Sequence, residues 1–302
     1  MYLELVAAEV MHRTHCRELL PAKQSATSVL IDTLAWGPAR IEQVDIDLLA
    51  EWNGMSGEQC VERLRTYRLH EAADLWHQHG PSNERAIRNY YAETDLYLWE
   101  LMAWNHSEHY QIYREYLDRL LEHWPPYSFP TALDYGSGVG TAAIRLAEMG
   151  YAITIADIPG RTFDFARERL TRRGINFDAI AVTGDVPQLR SKSADVLVCF
   201  DVIEHCARPG AVARALARAI KPGGGATVVA SFDTAGDDYP HHLSSGRKLF
   251  SGHRWPFFFN GLGFEKVADG VHVRTAGVRS VAHKLSYRTW RATGLYVTWQ
   301  PR

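Results

Sequence analysis

Residues 131–151 read TALDYGSGVGTAAIRLAEMGY. A strand-like apolar run breaks into three glycines at alternate positions, Gly136, Gly138 and Gly140, and a helix-like run follows. Glycine costs backbone entropy. Three together mark a turn that must bend tightly or be approached closely. A strand passing through such a turn into a helix starts a β-α unit, and this commits the surrounding chain to a parallel sheet. The runs AITIAD, FDAIAVTG, ADVLVCFDV and GATVVASF repeat the pattern, separated by helical stretches. One stretch, ARPGAVARALARAIKPGG, places Val212, Leu216 and Ile220 on one stripe. The tail GFEKVADGVHVRTAGVRSVAHKLSYR reads as two more strands joined by a turn. Near-continuous apolar strands mean a sheet covered on both faces. The expected fold is α/β: a seven-stranded sheet with an antiparallel edge hairpin, preceded by an N-terminal helical region.

Residues 1–125 have another texture. Apolar residues recur at three- and four-residue spacing, and strand-like alternation is scarce. Ser56 and Gln59 form a capping box that opens one helix, SGEQCVERLRTYRLHEAADLW. After the break Gly80-Pro81-Ser82-Asn83, NERAIRNYYAETDLYLWELMAWN reads as a second long helix and HSEHYQIYREYLDRLLEHW as a third. Within the second, Tyr90, Tyr97 and Trp104 recur every seven residues beside a stripe of Tyr91, Leu98 and Met102. This reads mainly as core packing; the other reading is a lid touching a ligand through Tyr91, Glu93 or Thr94. His77, His79, His106 and His109 sit among charges and read as solvated surface. WPPYSFP cannot continue a helix, so the expected domains are 1–125 and 126–302.

The turn expects a ligand, because open α/β sheets bind beyond the carboxyl ends of their strands. Two alignments compete. Gly138-x-Gly140-x-x-Ala143 with Asp157 downstream fits a dinucleotide fingerprint. That alignment leaves Asp134 and Gly136 inside the strand. Read as apolar-Asp-x-Gly-x-Gly-x-Gly, LDYGSGVG takes in the acid and resembles the first motif of the class I S-adenosylmethionine-dependent methyltransferases, whose sheet is Rossmann-like. AITIAD ending on Asp157, VTGDV at Gly184-Asp185-Val186, ADVLVCFDVIEH and IKPGG resemble the later motifs in order over residues 128–285. The resemblance implies S-adenosylmethionine as cofactor. It implies that Asp157 takes the ribose hydroxyls with Ile158 beside it, and that Asp185 takes the adenine amino group. Asp134, Gly136, Ser137, Gly138 and Gly140 would line the amino-acid end, with Phe200, Asp201 and Val202 below and Tyr91 crossing over. It also implies that 1–125 caps a substrate pocket.

Methyl transfer needs a base only where the acceptor must lose a proton. His205, after the fourth strand, leads the candidates, with a pocket-shaping role as its other reading. Glu204 reads as a hydrogen-bonding or packing residue. His241 and His242 lie in the polar loop DDYPHHLSSG; adjacent side chains point apart, so one of them is expected at the site. With His205, His253, Asp237 or Asp238 they could gather a metal, but zinc-like spacing is absent and no metal is expected.

Net charge −2 gives no footprint for nucleic acid or membrane. Phe200–Ile203 reads FDVI, unlike the Asn/Asp-Pro-Pro-Tyr pattern of amino-methylating enzymes. A small-molecule acceptor in a biosynthetic pathway is therefore expected. Four cysteines without CxxC spacing, and a start lacking a signal-peptide pattern, point to the cytoplasm. A nicotinamide oxidoreductase and a non-catalytic binding module are the alternatives.

Overall fold

The computed structural model describes residues 28–293, apart from 69, 80–82, 235–240, 244, 245, 247, 249 and 253. The first elements among the described residues are strands, contrary to the helical expectation. β1 (Ser28–Thr33) and β2 (Gly37–Glu42) form an antiparallel hairpin with Ile31 opposite Ala39 and Val29 opposite Ile41. Ile31, Thr33, Ala39 and Ile41 are buried on one face, while Leu30 is 62% exposed. That exposed Leu30 turns an alternating strand into the continuous apolar run Val29-Leu30-Ile31, which hides the period of two.

Helices α1 (Gln43–Trp52), α2 (Gly57–Thr66), α3 (His70–His79), α4 (Glu84–Glu93), α5 (Leu96–Trp104) and α6 (Gln111–His123) follow. The capping box is present: Gln59 N–H donates to Ser56 Oγ, and Ser56 N–H to Gln59 Oε1. Two expected long helices are each broken once. Tyr67 leaves helical geometry at ψ 137° as its ring enters the core. Thr94 is extended at ψ 128°, and its hydroxyl accepts from Leu96 N–H. Tertiary packing sets these breaks, which periodicity does not see.

The seven-stranded sheet has the order β5-β4-β3-β6-β7-β9-β8: β3 (Thr131–Tyr135), β4 (Ala152–Asp157), β5 (Phe177–Ala181), β6 (Ala194–Phe200), β7 (Ile220–Val229), β8 (Phe264–Ala268) and β9 (Val271–Arg274). The first five are parallel; β9 runs antiparallel to β7 and β8, the expected edge hairpin. α7 (Thr141–Glu148), α8 (Arg161–Arg172) and α9 (Pro209–Ala219) make the crossovers, α10 (Arg254–Gly261) precedes the hairpin, and α11 (Gly277–Thr293) follows it. The second half of the tail is therefore helix: its Val-containing segment after Arg274 packs as α11. IKPGG also lies within β7, at a register shift against β6. β3 and β6 are buried almost throughout. The chain reverses direction across the sheet between β3 and β6, so the site should lie above that junction.

The N-terminal elements join the sheet domain through a buried ion pair. Asp45, in the first turn of α1, takes both oxygens' bonds from Arg169 of α8, at 2.9 and 2.6 Å. Arg173 adds a contact at 2.8 Å. His106 was expected on solvated surface; instead its side chain is 10% exposed. Its Nδ1 donates to the Met102 carbonyl, leaving Nε2 to accept from Arg169 at 3.2 Å. Burial, then the Arg169 charge, holds this ring neutral, its pKa down to about 3. Its proximity to Asp45 is therefore no ion pair. His109 is exposed and stacks on Trp104.

Burial alone would raise the Asp45 pKa, but Arg169 and Arg173 outweigh it and hold the carboxyl well below the usual range. Its contribution to stability is therefore complete above the unfolded carboxylate pKa, about 3.9, and is lost as pH falls through and below it. Asp45→Asn should destabilise the protein by about 3–5 kcal/mol, because Arg169 is left buried and uncompensated. Urea unfolding at neutral pH checks this; a loss below about 1 kcal/mol would show the pair to be ornamental.

Candidate active site

Gly136, Gly138 and Gly140 all have positive φ, at 71°, 52° and 78°. This left-handed geometry is open to glycine and costly for other residues. Their bare faces meet protein. A Cβ on Gly136 would stand 2.2 Å from Val202, and one on Gly138 would stand 2.7 Å from Leu101 of α5. Their amides are also spent inside the protein. Gly136 N–H donates to the Ala156 carbonyl at 2.7 Å, Gly140 N–H to Ser137 at 2.8 Å, and Gly138 N–H to Asp157 Oδ2 at 2.7 Å. Ile158 N–H takes Asp157 Oδ1, also at 2.7 Å.

Acceptors remain for a ligand. Asp134, Ser137, Asp157, Asp185 and Asp201 line one pocket beyond the carboxyl ends of β3, β4, β5 and β6. Asp134 Oδ2 and Ser137 Oγ are buried there with no protein partner among the described residues. Burial, with the nearby Asp157, pushes Asp134 up to about 7; burial pushes Asp157 up to about 6 against the Gly138 and Ile158 amides. A cavity of crowded carboxylates favours a ligand carrying positive charge and hydroxyl donors, and disfavours a pyrophosphate. Arg88 is the cation on this wall. It reaches from α4 to form an ion pair with Asp185.

The roof comes from the helical region. Tyr91, Tyr97, Leu101 and Trp104 project from α4 and α5, joined by Tyr110. The helix α4 lies directly on the sheet domain. A Cβ on Gly160 would stand 2.5 Å from the Ala92 carbonyl oxygen. Tyr90 is not in the pocket; its hydroxyl donates to the Ala72 carbonyl at 2.8 Å. Leu98 and Met102 are fully buried core, as expected of that stripe. Thr94 is buried beside the break, and Glu93 does not line the pocket.

Below the roof, Asp201 sits at φ 50°, a conformation Asp tolerates better than most residues. Tyr113 donates to its Oδ2 at 2.5 Å and Ser231 Oγ to its Oδ1 at 3.1 Å. Glu204 is 1% exposed, and its Oε1 accepts the Ser231 amide at 2.7 Å. Burial, and then the Asp201 charge, pushes Glu204 up to about 8. Asp201 is bonded on both oxygens, while Glu204 Oε2 is buried without a hydrogen-bond partner among the described residues.

His205 lines the pocket wall, with Nδ1 2.9 Å from Tyr91 Oη and 3.2 Å from the His241 carbonyl oxygen. Both loop histidines converge on it, where one was expected to point away. Ring centroids lie 5.1 Å apart for His205–His241 and 4.7 Å for His205–His242. The loop backbone is turned by the Leu243 N–H bond to the Glu204 carbonyl. Neither His241 nor His242 lies on the pocket wall itself. Gly136, Gly138, Ile158, Gly184, Phe200 and Val202 do; Gly140 and Val186 do not. Gly140 instead caps α7 against Ala166. Asp237, Asp238, His253 and Gly80–Ser82 lie outside the described residues.

Arg88, Tyr97, Leu101, Trp104 and Tyr110 were not singled out as pocket residues. Arg88 and Tyr91 are three apart on α4, a spacing that puts both on one face. That pairing was the available signal.

Residues 133–228 match the family described as Methyltransferase domain. A ubiquinone biosynthesis O-methyltransferase of Caulobacter vibrioides is 32% identical over 102 residues, covering 33% of this chain and 40% of that relative. A tRNA 5-carboxymethoxyuridine methyltransferase of Escherichia coli is 28% identical over 144 residues, covering 47% and 51%. This chain thus spans about half or less of the length of these curated relatives. A solved SAM-dependent methyltransferase of Archaeoglobus fulgidus is 17% identical with TM-score 0.44, covering 57% of this chain and 76% of that one. Residues 133–228 thus carry a methyltransferase domain, and the acid-bearing glycine turn and the sheet order agree with the class I S-adenosylmethionine-dependent pattern.

Proposed function

We propose that the protein is an enzyme that moves a methyl group from S-adenosylmethionine to a small molecule enclosed between two regions, a cap of residues 1–125 and a catalytic domain of residues 126–302. One observation carries this reading. The pocket offers buried carboxylates and unsatisfied acceptors below, and an aromatic roof above. When bound, the cofactor supplies an electrophilic methyl group on a positively charged sulfur. Asp157 would accept the ribose hydroxyls, its remaining lone pairs aimed by the Gly138 and Ile158 amides. Asp134 and Ser137 would receive the ammonium end. Asp185, steadied by Arg88, would accept from the adenine amino group, with Ile158 and Val182 packing beside it. The aromatic residues of α4 and α5 would exclude water and orient the acceptor beside His205, so that much of the rate comes from proximity.

The dinucleotide alternative loses support because all three glycine amides are already bonded within the protein. Among the described residues no helix is long and apolar enough to cross a membrane. Cys60, Cys199 and Cys206 are free thiols, which favours a reducing, cytoplasmic setting. The two curated relatives are named differently, one for ubiquinone biosynthesis and the other for a tRNA uridine. The enclosing roof favours the small molecule here.

S-adenosylhomocysteine at 100-fold excess over Kd should stabilise the protein by about 2.7 kcal/mol in a thermal melt. NAD(H) should leave the melt unchanged; the reverse result would overturn the cofactor assignment. Asp157→Ala should weaken S-adenosylhomocysteine by at least about tenfold, equal to roughly 1.4 kcal/mol.

The pH dependence follows from the raised Asp157 pKa. The ionised, hydroxyl-accepting form prevails above about 6. Affinity should therefore hold at higher pH and fall about tenfold per pH unit below it, with calorimetric titrations across that range as the check. A flat profile would remove Asp157 from the ribose. Incorporation of labelled methyl should occur with hydroxylated aromatic metabolites; labelling of tRNA alone would overturn the small-acceptor assignment.

A further inference from the structure

We infer that His205, His241 and His242 form a binding site for one divalent transition-metal ion of the zinc type, set against the acceptor end of the pocket. Each histidine offers one ligand nitrogen, and these atoms all lie within 4.8 Å of one another. Nitrogens sharing one tetrahedral zinc at about 2.0–2.1 Å lie roughly 3.4 Å apart. Holding an ion would draw these nitrogens together by up to roughly 1.4 Å.

The surroundings orient the rings as ligands are oriented. His205 Nδ1 faces the His241 carbonyl oxygen at 3.2 Å. A carbonyl can only accept, and Tyr91 Oη, 2.9 Å from the same nitrogen, can accept too, so the tautomer that suits both carries its proton on Nδ1 and keeps the lone pair on Nε2. His242 makes a hydrogen bond to the Ser231 backbone. A ring nitrogen bonded to backbone is the usual outer-sphere support of a metal-binding imidazole. Three uncharged nitrogens without carboxylate or thiolate suit a borderline ion such as Zn2+ and suit Mg2+ or Ca2+ poorly. Three protein ligands also leave a fourth position open, the arrangement of catalytic zinc sites.

Sequence spacing conceals the group, because 36 residues separate His205 from His241. The role of the open position rests on the methyl-transfer reading above. His205 borders the pocket, so an acceptor hydroxyl can reach the ion, which lowers its pKa. The hydroxyl proton passes to water. The oxygen lone pair then forms the C–O bond as the C–S bond breaks and its electron pair returns to sulfur. The acceptor class is thus a hydroxylated molecule, not an amine that is already nucleophilic.

The test uses the tag-free full chain, stripped with a chelator and titrated with Zn2+ and Co2+. We expect one ion per chain and an intense visible Co2+ spectrum of low coordination number. His241→Ala and His242→Ala should each weaken Zn2+ by more than about 100-fold, beyond the 10–100-fold typical of outer-sphere changes. His272→Ala, a histidine on β9 away from the cluster, should leave binding unchanged. Where an alanine variant does not fold, His242→Gln replaces it, and the wild-type cobalt spectrum decides by itself. Absence of stoichiometric binding in wild type, or binding that survives both alanine substitutions, overturns the site. The S-adenosylhomocysteine melt, run on the same metal-free protein, separates the outcomes. A melt shift without metal binding overturns the metal alone, and metal binding without a melt shift overturns the cofactor reading alone.

Discussion

Arg169 is 2% exposed and spends its guanidinium on partners from three parts of the chain. It holds both oxygens of Asp45 from α1, the ring of His106 after α5, and the Val139 carbonyl and Thr141 hydroxyl of the glycine turn. A cation this deep is stable only when every donor is satisfied. Moving any one of these three segments leaves a donor bare. The N-terminal helices and the glycine turn therefore hold their positions through the same side chain, and the site is built across their junction.

That junction explains how the turn works. Its glycines adopt left-handed geometry, and their bare faces receive Val202, Leu101 and Ala166. Their amides close bonds to Ala156, Ser137 and Asp157. A turn so fully used by its own protein has little left to offer a phosphate. What it presents to the pocket is carboxylate: Asp134 from the strand before it, and Asp157 fixed by two amides from the strand beside it. Burial raises both pKa values, the Asp157 charge adding to the shift of Asp134, and buried acceptors of this kind prefer a cationic ligand. A single arrangement thus sets both backbone geometry and ligand charge.

The centre of the sheet was legible in the sequence because β3, β6 and the second half of β7 are buried almost throughout and read as apolar runs. Asp134, Asp157 and Asp185 were legible because strand ends in this fold carry function, and each closes a run. The β1–β2 hairpin was not, because exposed Leu30 masks its alternation. The helix breaks at Tyr67 and Thr94 were not, because one ring's burial and one hydroxyl's bond decide them. His106 read as surface because its neighbours are polar. Its role depends on Arg169, 63 residues away. Local pattern carries the elements; contacts between distant residues carry the junctions.

The family match also has a physical boundary. Residues 133–228 contain Asp134, Asp157, Asp185, Asp201 and His205, and so the whole acidic floor. The roof, Arg88 to Tyr110, lies before that segment, and His241 and His242 lie after it. Two of the curated relatives carry different names, one for ubiquinone biosynthesis and one for a tRNA uridine. The roof and the histidine loop, both outside the matched segment, meet where Tyr91 Oη touches His205 at 2.9 Å. Among the described residues, contacts such as Arg88 to Asp185, Tyr91 to His205, Tyr110 to Phe200 and Asn105 to Thr141 join the floor to these walls. Remodelling the walls therefore requires preserving these contacts, because they also hold the acidic floor in shape.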